Sequence, residues 1–585
     1  MAKKKSKKKQ KKKKNPSPEQ VIASLQRKHR NELRSFFSDL GFQHQKSDEI
    51  EIKVGTRKSD VDDLFFYENV IVLVEYTVGN VSSDHVLKKK AFFDEIISDK
   101  KRFLDIARAS YEGFGVRLDT LYDDEHFEVR IIYASLNEVP LELVESCPSA
   151  IFLHGSVRKY FLALGRTIRK SARVEFFNYL GLNWKAIGKS AVKAKTEPSE
   201  YAGQLLPPSM SSYPSGYRVV SFYADPESII AGAYVLRRDG WRDESHLYQR
   251  VLLRSKILKM RRYLVEQKRV FVNNVIVTLP SATDIKLLES DKGKNANHSQ
   301  PVIVALPAGY NTIGVVDGQH RVFCYHEGVD AYEPAIKNLR QRQHLLVTGI
   351  IYPKEAGSTE RMEFEAKLFL EINNNQTSTR SALRQDIETI IRPFSGIAVA
   401  RRIVAALTKS GPYKGLLQLG YFDSPKKIKT SSIVSYGLRP LVKFDGDDSL
   451  FHAWPNPEKT RLKLREKKSV RDSKYDSDLD LLEEYIEYCK LNLNHMFVAA
   501  KLARPGDSWD VELEVVPALL RPTSINGLIA CLRKVIKAGL PIGQASLKKG
   551  LSSIDHFDFL KYTSSGWDAM GKELFEKHFV KNHGS

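Results

Sequence analysis

The sequence predicts an α/β multidomain protein with a mainly helical C-terminal region. Its length of 585 residues is about three to four times that of a typical domain. β-like runs alternate with amphipathic helical patterns as far as about residue 395, and helical patterns dominate from residue 396 onward. Hydrophobic residues make up 42% of the chain, which is enough to form packed cores.

Composition and charge exclude several classes of protein. Lys and Arg number 92 against 70 Asp and Glu, a net charge of +22 that favours a polyanionic partner such as DNA. The four cysteines are far apart and form no CxxC pair, which argues against a disulfide-rich secreted module and a structural zinc site. No apolar run reaches 18 residues and no apolar stretch follows the basic start, so we expect a cytoplasmic protein without a membrane span.

Five segments are expected along the chain. They are a disordered Lys-rich tail (1–16), a first α/β domain (17–192), a linker rich in Pro, Ser and Gly (193–216), a second α/β domain (217–395) and a mainly helical region (396–585). Ten lysines lie within the first 14 residues. Such a tail can serve solubility or nuclear targeting, or it can be a non-specific arm that binds phosphates.

Carboxylates at the ends of two neighbouring strands form the first candidate site. Asp62 opens one strand and Glu75 lies near the end of the next, with only Glu68-Asn69 between the strands. A connection this short predicts a hairpin, and strand alternation lets Asp62 and Glu75 converge at its end. Paired carboxylates suit Mg²⁺, a hard cation that takes oxygen ligands and supports chemistry on phosphates.

Residues 20–135 resemble the PD-(D/E)XK nucleases, in which a helix precedes an Asp at a strand start and Glu-x-Lys on the next strand. The resemblance implies a catalytic role for Asp62 and Glu75, and Glu32 in the first helix matches an acid often found there. The family's Lys position is Thr77 here, so the resemblance implies a Lys from the following helix, with Lys88 as first choice. A degenerate nuclease fold that only binds DNA, or no relation to the family, are the alternatives.

The second candidate site is the segment Asp317-Gly318-Gln319-His320-Arg321, which follows an apolar strand and precedes a helical pattern. A strand, a Gly turn and a helix start form a geometry that binds phosphate through free backbone N–H groups. Arg321 can grip a phosphate with two hydrogen bonds, and His320 can donate a hydrogen bond or carry a proton. Asp317 can orient His320 or hold a metal. The alternative is a structural turn closed by an Asp317–Arg321 ion pair.

The same segment is the signature of the DGQHR-domain family, which includes the DndB-like regulators of DNA phosphorothioation. The resemblance covers about residues 217–395 and implies a fold related to the ParB/sulfiredoxin fold, with nucleotide or DNA binding. The resemblance adds Tyr248, Gln249 and Arg250, which begin a basic helix, and Asn373 and Gln376, which follow a later helical pattern. The basic helix contains Arg254, Lys256, Lys259, Arg261 and Arg262. A solvated helix face and a helix C-terminal cap are the corresponding structural alternatives.

Together these resemblances imply a DNA-acting protein of a prokaryotic DNA modification or defence system. Its expected cofactors are Mg²⁺ and a nucleoside triphosphate, and its expected partners are DNA and other proteins of the same operon. In that interpretation the first domain cleaves DNA and the second senses a nucleotide or DNA. One alternative is a non-enzymatic, DndB-like DNA-binding regulator with a degenerate nuclease fold. The other is a nucleotide hydrolase in which Asp317–Arg321 carries the reaction and the first domain only docks DNA.

Overall fold

The computed structural model describes residues 17–79, 81, 83–192, 198–237, 241, 249, 251–287, 299–374, 381–420, 422–467, 472–511, 513 and 515–580. It confirms a mixed α/β multidomain protein. We use the names N-terminal domain for residues 17–192, central domain for 198–391 and C-terminal region for 392–580. Within the described part of the chain, no helix is both long and apolar enough to cross a bilayer.

The N-terminal domain is a five-stranded sheet between two layers of helices. Its elements are α1 Pro18–Asp39, β1 Gln43–Lys46, β2 Ile52–Val54, β3 Arg57–Ser59, β4 Asp63–Tyr67, β5 Val70–Thr77, α2 Ser83–Ser98, α3 Lys100–Ser110, α4 Phe114–Arg117, β6 Glu128–Ser135, α5 Leu141–Ser146, β7 Ile151–Leu153, α6 Gly155–Ile168 and α7 Arg173–Tyr179. The strand order is β1-β4-β5-β6-β7. β1, β4 and β5 are antiparallel neighbours, whereas β5, β6 and β7 run parallel.

Alternation along β4 and β5 explains the two helical layers. Phe65 and Val72 lie in the core shared with α1, α6 and α7, and Leu64 and Leu73 lie in the core shared with α2 and α3. Strands buried on both faces read as continuous apolar runs, as these two do. The predicted hairpin is confirmed, since β4 and β5 pair in an antiparallel register.

The central domain contains an eight-stranded mixed sheet. Its elements are β8 Ser199–Leu206, α8 Pro208–Ser211, β9 Arg218–Ala224, α9 Pro226–Gly232, β10 Ala233–Tyr234, α10 Arg254–Gln267, β11 Val275–Leu279, β12 Asp284–Leu287, β13 Gln300–Leu306, β14 Ile313–Asp317, α11 Gln319–Phe323, α12 Glu333–Arg342, β15 Leu345–Ile351, α13 Ser358–Asn374 and α14 Ser381–Ile391. The strand order is β10-β14-β11-β15-β9-β8-β13-β12.

The predicted linker (193–216) is wrong over most of its described length. Residues 199–206 form β8, which pairs with β9 on one side and β13 on the other. The side chains of β8 are exposed or only partly buried, so its backbone ladder rather than apolar burial holds it in the sheet. Gly203 fits that ladder closely, because a Cβ there would lie 2.6 Å from the Ser221 carbonyl oxygen.

The C-terminal region is mainly helical, as predicted. Its elements are α15 Gly396–Lys409, β16 Leu417–Gln418, β17 Ile428–Lys429, a π-helix Ile433–Leu438, α16 Arg439–Val442, α17 Leu450–Ala453, α18 Thr460–Lys467, α19 Tyr475–Leu502, α20 Pro522–Lys537, α21 Gln544–Gly550, α22 Trp567–Phe575 and a second π-helix Glu576–Val580. They surround a separate apolar core.

The N-terminal and central domains share one continuous hydrophobic core. The ring of Phe177 on α7 packs edge-on against Tyr310, with 6.1 Å between ring centroids. A buried ion pair, Glu175–Arg237, crosses the same interface. The two domains are therefore joined by apolar packing and by charge.

Candidate functional site

The β4–β5 hairpin brings Asp62 and Glu75 to one end of the N-terminal sheet. Asp63 lies opposite Val74 in the ladder, so Asp62 and Glu75 occupy the next positions beyond it. The backbone N–H of Tyr76 donates to Asp62 Oδ2 over 2.8 Å, which fixes the Asp62 carboxylate beside β5. The convergence predicted from strand alternation is present.

The cation at these carboxylates is Lys89 rather than the predicted Lys88. Lys89 Nζ lies 3.0 Å from Glu75 Oε2 and 3.2 Å from Asp60 Oδ1, whereas Lys88 is exposed. Helical periodicity could have identified Lys89. It lies three residues after the buried Val86 and four before the buried Phe93, so it shares their inward face.

The first helix contributes Arg30 to this cluster, and Glu32 lies elsewhere. Arg30 Nη2 is 2.6 Å from Asp62 Oδ1, and its Nη1 is 3.2 Å from Asp48 Oδ2. Glu32 instead pairs with Arg158 on α6. Residues two apart on a helix differ by about 200° in direction, so Arg30 and Glu32 cannot face the same cluster.

Burial and mutual repulsion shape the protonation of the cluster. Burial, reinforced by the charge of Asp62, raises the pKa of Glu75 to about 7. Burial also raises the pKa of Asp62, although the Tyr76 N–H group and Arg30 both act to lower it. For Lys89 burial opposes the charge, but the ion pairs with Glu75 and Asp60 prevail and raise its pKa. Lys89 is therefore a permanent cation beside a carboxyl group that titrates near neutrality.

A histidine that the sequence analysis missed borders the same carboxylates. His85 Nδ1 hydrogen-bonds the Tyr133 hydroxyl over 2.8 Å, and its Nε2 lies 4.0 Å from Glu75 Oε1. His85 lies four residues before Lys89 on α2, so the same helical phase marks it. Its contact with Tyr133 of β6, 48 residues further along the chain, has no local signal.

The cluster provides oxygen ligands of the kind that a divalent cation binds, and the Asp62 and Glu75 carboxylates are the pair that would hold it. Among the described residues, four acids (Asp48, Asp60, Asp62 and Glu75) contact two permanent cations, Arg30 and Lys89. The excess of negative charge is what a hard cation neutralises. Within the described ranges, no group of three or more His, Cys, Asp or Glu side chains is arranged to hold a metal ion.

The DGQHR segment has the predicted backbone, a strand followed by a Gly turn and a helix. β14 ends at Asp317, Gly318 has a φ of +94°, and α11 contains only five residues. Arg321 Nη2 donates to Asp317 Oδ2 over 2.8 Å and to the Asn274 carbonyl over 2.9 Å. These contacts are those of the structural alternative, in which Arg321 closes the turn.

His320 and Gln319 face the interior. Burial, aided by the charges of Lys256 and Arg237, lowers the pKa of His320 to about 3, so the ring is neutral near pH 7 and cannot carry protons there. The Gln319 side-chain oxygen accepts a 3.2 Å hydrogen bond from Arg237 Nε. Through Arg237, the segment connects to Glu175 in the N-terminal domain.

The remaining predicted residues of this site are structural or lie outside the described residues. Gln249 donates from its amide nitrogen to the Val316 carbonyl over 3.1 Å and is buried. Asn373 donates to the Phe369 carbonyl over 2.8 Å, within the last turn of α13. Three residues, Tyr248, Arg250 and Gln376, lie outside the described residues.

Comparison of this chain with protein-family models, with curated proteins and with solved structures found no match. The geometry of the two clusters is therefore the basis for inferring function. The cluster around Asp62, Glu75 and Lys89, which we call the carboxylate cluster, carries unbalanced charge. The DGQHR turn has its charges paired.

Proposed function

We propose that this protein is a Mg²⁺-dependent DNA endonuclease whose active site is the carboxylate cluster. The observation that carries the proposal is the position of Lys89, whose Nζ lies within 3.2 Å of both Glu75 and Asp60. Paired acids with a neighbouring lysine suit hydrolysis of a phosphodiester, because the reaction develops negative charge on the phosphate. The protein's net charge of +22 favours the polyanionic substrate.

Each side chain has a distinct task in this proposal. Asp62 and Glu75 would hold Mg²⁺, which when bound supplies Lewis-acid stabilisation and a water of lowered pKa. Lys89 is charged and 14% of its side chain is exposed. It would stabilise charge on a phosphate oxygen by exchanging one of its three contacts, which are with Glu75, the Asp60 carboxylate and the Asp60 carbonyl. Arg30 holds the Asp62 carboxylate in place. His85, oriented by Tyr133, lies beside Glu75.

The topology of the N-terminal domain supports the resemblance to PD-(D/E)XK nucleases. A first helix precedes an antiparallel hairpin, and a crossover through α2 and α3 leads to the parallel strand β6. The acids lie at the end of the hairpin, and the lysine comes from α2 instead of from β5. This origin matches the family members that draw their lysine from a neighbouring helix, so Thr77 does not count against activity.

The central domain would sense a nucleotide or DNA and influence cleavage. Gln319 of the DGQHR segment contacts Arg237, and Arg237 pairs with Glu175 on α7. A ligand that displaced Gln319 would disturb this buried link between the two domains. We place the protein in a prokaryotic DNA modification or defence system on the strength of the DGQHR resemblance.

A non-enzymatic DNA-binding regulator is the second candidate, and one observation favours it. Both carboxylate oxygens of Asp62 already accept hydrogen bonds, from Arg30 and from the Tyr76 N–H group. An acid bound in this way would have to exchange a partner to hold a metal ion.

Plasmid nicking by two matched lysine variants distinguishes the endonuclease from the non-enzymatic regulator. Supercoiled plasmid is incubated with Mg²⁺ and wild type, Lys89→Met or Lys88→Met. Both substitutions remove one positive charge from the same helix, at adjacent positions, so they change the protein's net charge equally. We expect Lys89→Met to slow nicking at least about a hundredfold, the scale on which removing one charge-stabilising group acts, and Lys88→Met to nick like wild type.

Wild-type protein that binds plasmid but does not nick it with Mg²⁺ or Mn²⁺, alone or with a nucleoside triphosphate, would favour the regulator. Nicking that both variants retain would instead overturn the assignment of the active site to the carboxylate cluster, and would point to a contaminating nuclease or to a different site.

A further inference from the structure

A cationic cavity lies at the seam between the N-terminal and central domains, separate from the carboxylate cluster. It has a volume of about 200 Å³ and opens to solvent. Three arginines line it: Arg166 and Arg169 come from the end of α6 and the turn after it, and Arg254 is the first residue of α10. Neither domain alone supplies all three.

The acids of the cavity are already paired, which leaves a surplus of positive charge. Asp39 at the end of α1 pairs with Arg169. Asp330 lies 3.0 Å from Nε of the fully buried Arg261. Two guanidinium groups thus remain for a ligand, those of Arg166 and Arg254.

Among the described residues, the ion-pair partners of these two arginines are weak or absent. Arg166 Nη2 is 3.9 Å from Glu32 Oε1, and the other oxygen of Glu32 is held by Arg158. Arg254 is exposed and makes no ion pair with any described residue. Both guanidinium groups therefore keep donors that can bind an anion.

The backbone at Arg169 is unusual for a residue other than glycine. Its φ is +49° and its ψ is −123°, a conformation that L-residues rarely adopt. Such strain persists only where the surrounding structure enforces it, and it is common at ligand sites. Here it accompanies the Arg169–Asp39 ion pair at the wall of the cavity.

We propose that this cavity binds a phosphate group of the DNA backbone. Planar guanidinium groups match phosphate oxygens with two parallel hydrogen bonds. A volume of about 200 Å³ is below the range of pockets that enclose a drug-sized ligand, about 300–1,000 Å³. It therefore suits one phosphate of a polymer better than a whole nucleoside triphosphate.

The choice of DNA as the source of the phosphate rests on the proposed function. The protein's net charge of +22 favours a polyanion, and the cavity has room for one phosphate group of a polymer. Arg30 and Asp39 are nine residues apart on α1, about 900° in direction, so the carboxylate cluster and the cavity lie on opposite faces of that helix.

Binding measurements without Mg²⁺ test the cavity independently of cleavage. The full-length protein is titrated in EDTA with a short fluorescent DNA duplex, and separately with ATP and with inorganic pyrophosphate. The variants are Arg254→Gln and Arg166→Gln, with Arg262→Gln as control. Arg262 is an exposed residue of the same helix as Arg254 that lies outside the cavity, so it loses the same charge. Thermal melting checks that all variants are folded.

We expect the two cavity variants to weaken duplex binding about tenfold, the loss of one charged hydrogen bond. Each should also make the slope of log K against log salt shallower by about 0.9. Arg262→Gln should have a much smaller effect. A loss of ATP or pyrophosphate binding with duplex binding intact would overturn the assignment to DNA and identify the ligand as a free phosphate compound. Duplex affinity that falls equally in all three variants, or in none, would overturn the site itself.

Discussion

The raised pKa of Glu75 makes stability depend on pH in a way that one substitution can isolate. A carboxyl group whose pKa is higher in the folded protein binds its proton more tightly there than in the unfolded chain. Stability then falls as the pH rises from the ordinary pKa to the raised one. The rise from 4.5 to about 7, at about 1.36 kcal/mol per pH unit, corresponds to about 3 kcal/mol.

Glu75→Gln removes the titration while keeping the shape of a protonated carboxyl group. We expect the melting temperature of the variant, relative to wild type, to rise between about pH 4.5 and pH 7 and to level off above. The N-terminal and central domains, residues 17–391, share one hydrophobic core and are treated as one unfolding unit. For a unit of this size about 1 kcal/mol shifts the melting temperature by about 1 °C, so the full change is about 3–4 °C. The comparison is made in EDTA by following the unfolding transition of this unit.

Two controls complete this prediction. Glu112→Gln removes a carboxylate from an exposed position and should leave the difference from wild type independent of pH. Added Mg²⁺ should stabilise wild type more than Glu75→Gln above pH 7, because a bound cation favours the ionised carboxylate. If the Glu75→Gln difference does not change with pH, the proposed electrostatics of the cluster are wrong.

Three further predictions concern the other charged features. Removing residues 1–14 should make the salt dependence of DNA binding shallower by about 0.9 for each lysine that contacts a phosphate, and an unchanged slope would exclude the tail from the interface. Arg237→Met should lower the unfolding free energy by about 3–5 kcal/mol, because it leaves Glu175 buried without its cation; adding Glu175→Gln should restore part of the loss in urea unfolding. Arg321→Ala should cost about 1–2 kcal/mol through the lost contacts to Asp317 and to the backbone, whereas normal melting with lost nucleotide binding would favour the ligand role.

The carboxylate pair could be predicted because the information is local. Asp62 and Glu75 belong to adjacent strands joined by a two-residue connection, and strand alternation fixes which side chains meet. The positive φ of Glu68, +50°, marks the tight turn that the short connection required. Nothing outside residues 60–77 was needed to bring these acids together.

Features that depend on distant pairing were out of reach. The segment 193–216 is rich in Pro, Ser and Gly and lacks apolar periodicity, which predicts a linker, whereas the strand partner of β8, β13, begins at residue 300. The ion pair between Glu175 and Arg237 joins residues 62 apart in sequence. No motif near either residue indicates that the two side chains pair. Contacts between residues so far apart in sequence depend on how whole domains pack, which local sequence patterns do not indicate.

The position of a basic residue around its helix, which can be read from the sequence, shows whether its side chain points inward. The sequence analysis places Arg261 on the basic face of its helix. Arg261 lies four residues after Ile257 and three before Leu264, however, and both of these are buried. It shares their inward face and is itself fully buried, bonded to the carbonyls of Cys324 and His326, so it cannot reach DNA. Lys89 likewise points inward from α2, but its side chain has different partners. It faces carboxylates and keeps part of its side chain exposed, and that combination of inward direction and access to solvent is what a group that binds a substrate phosphate requires.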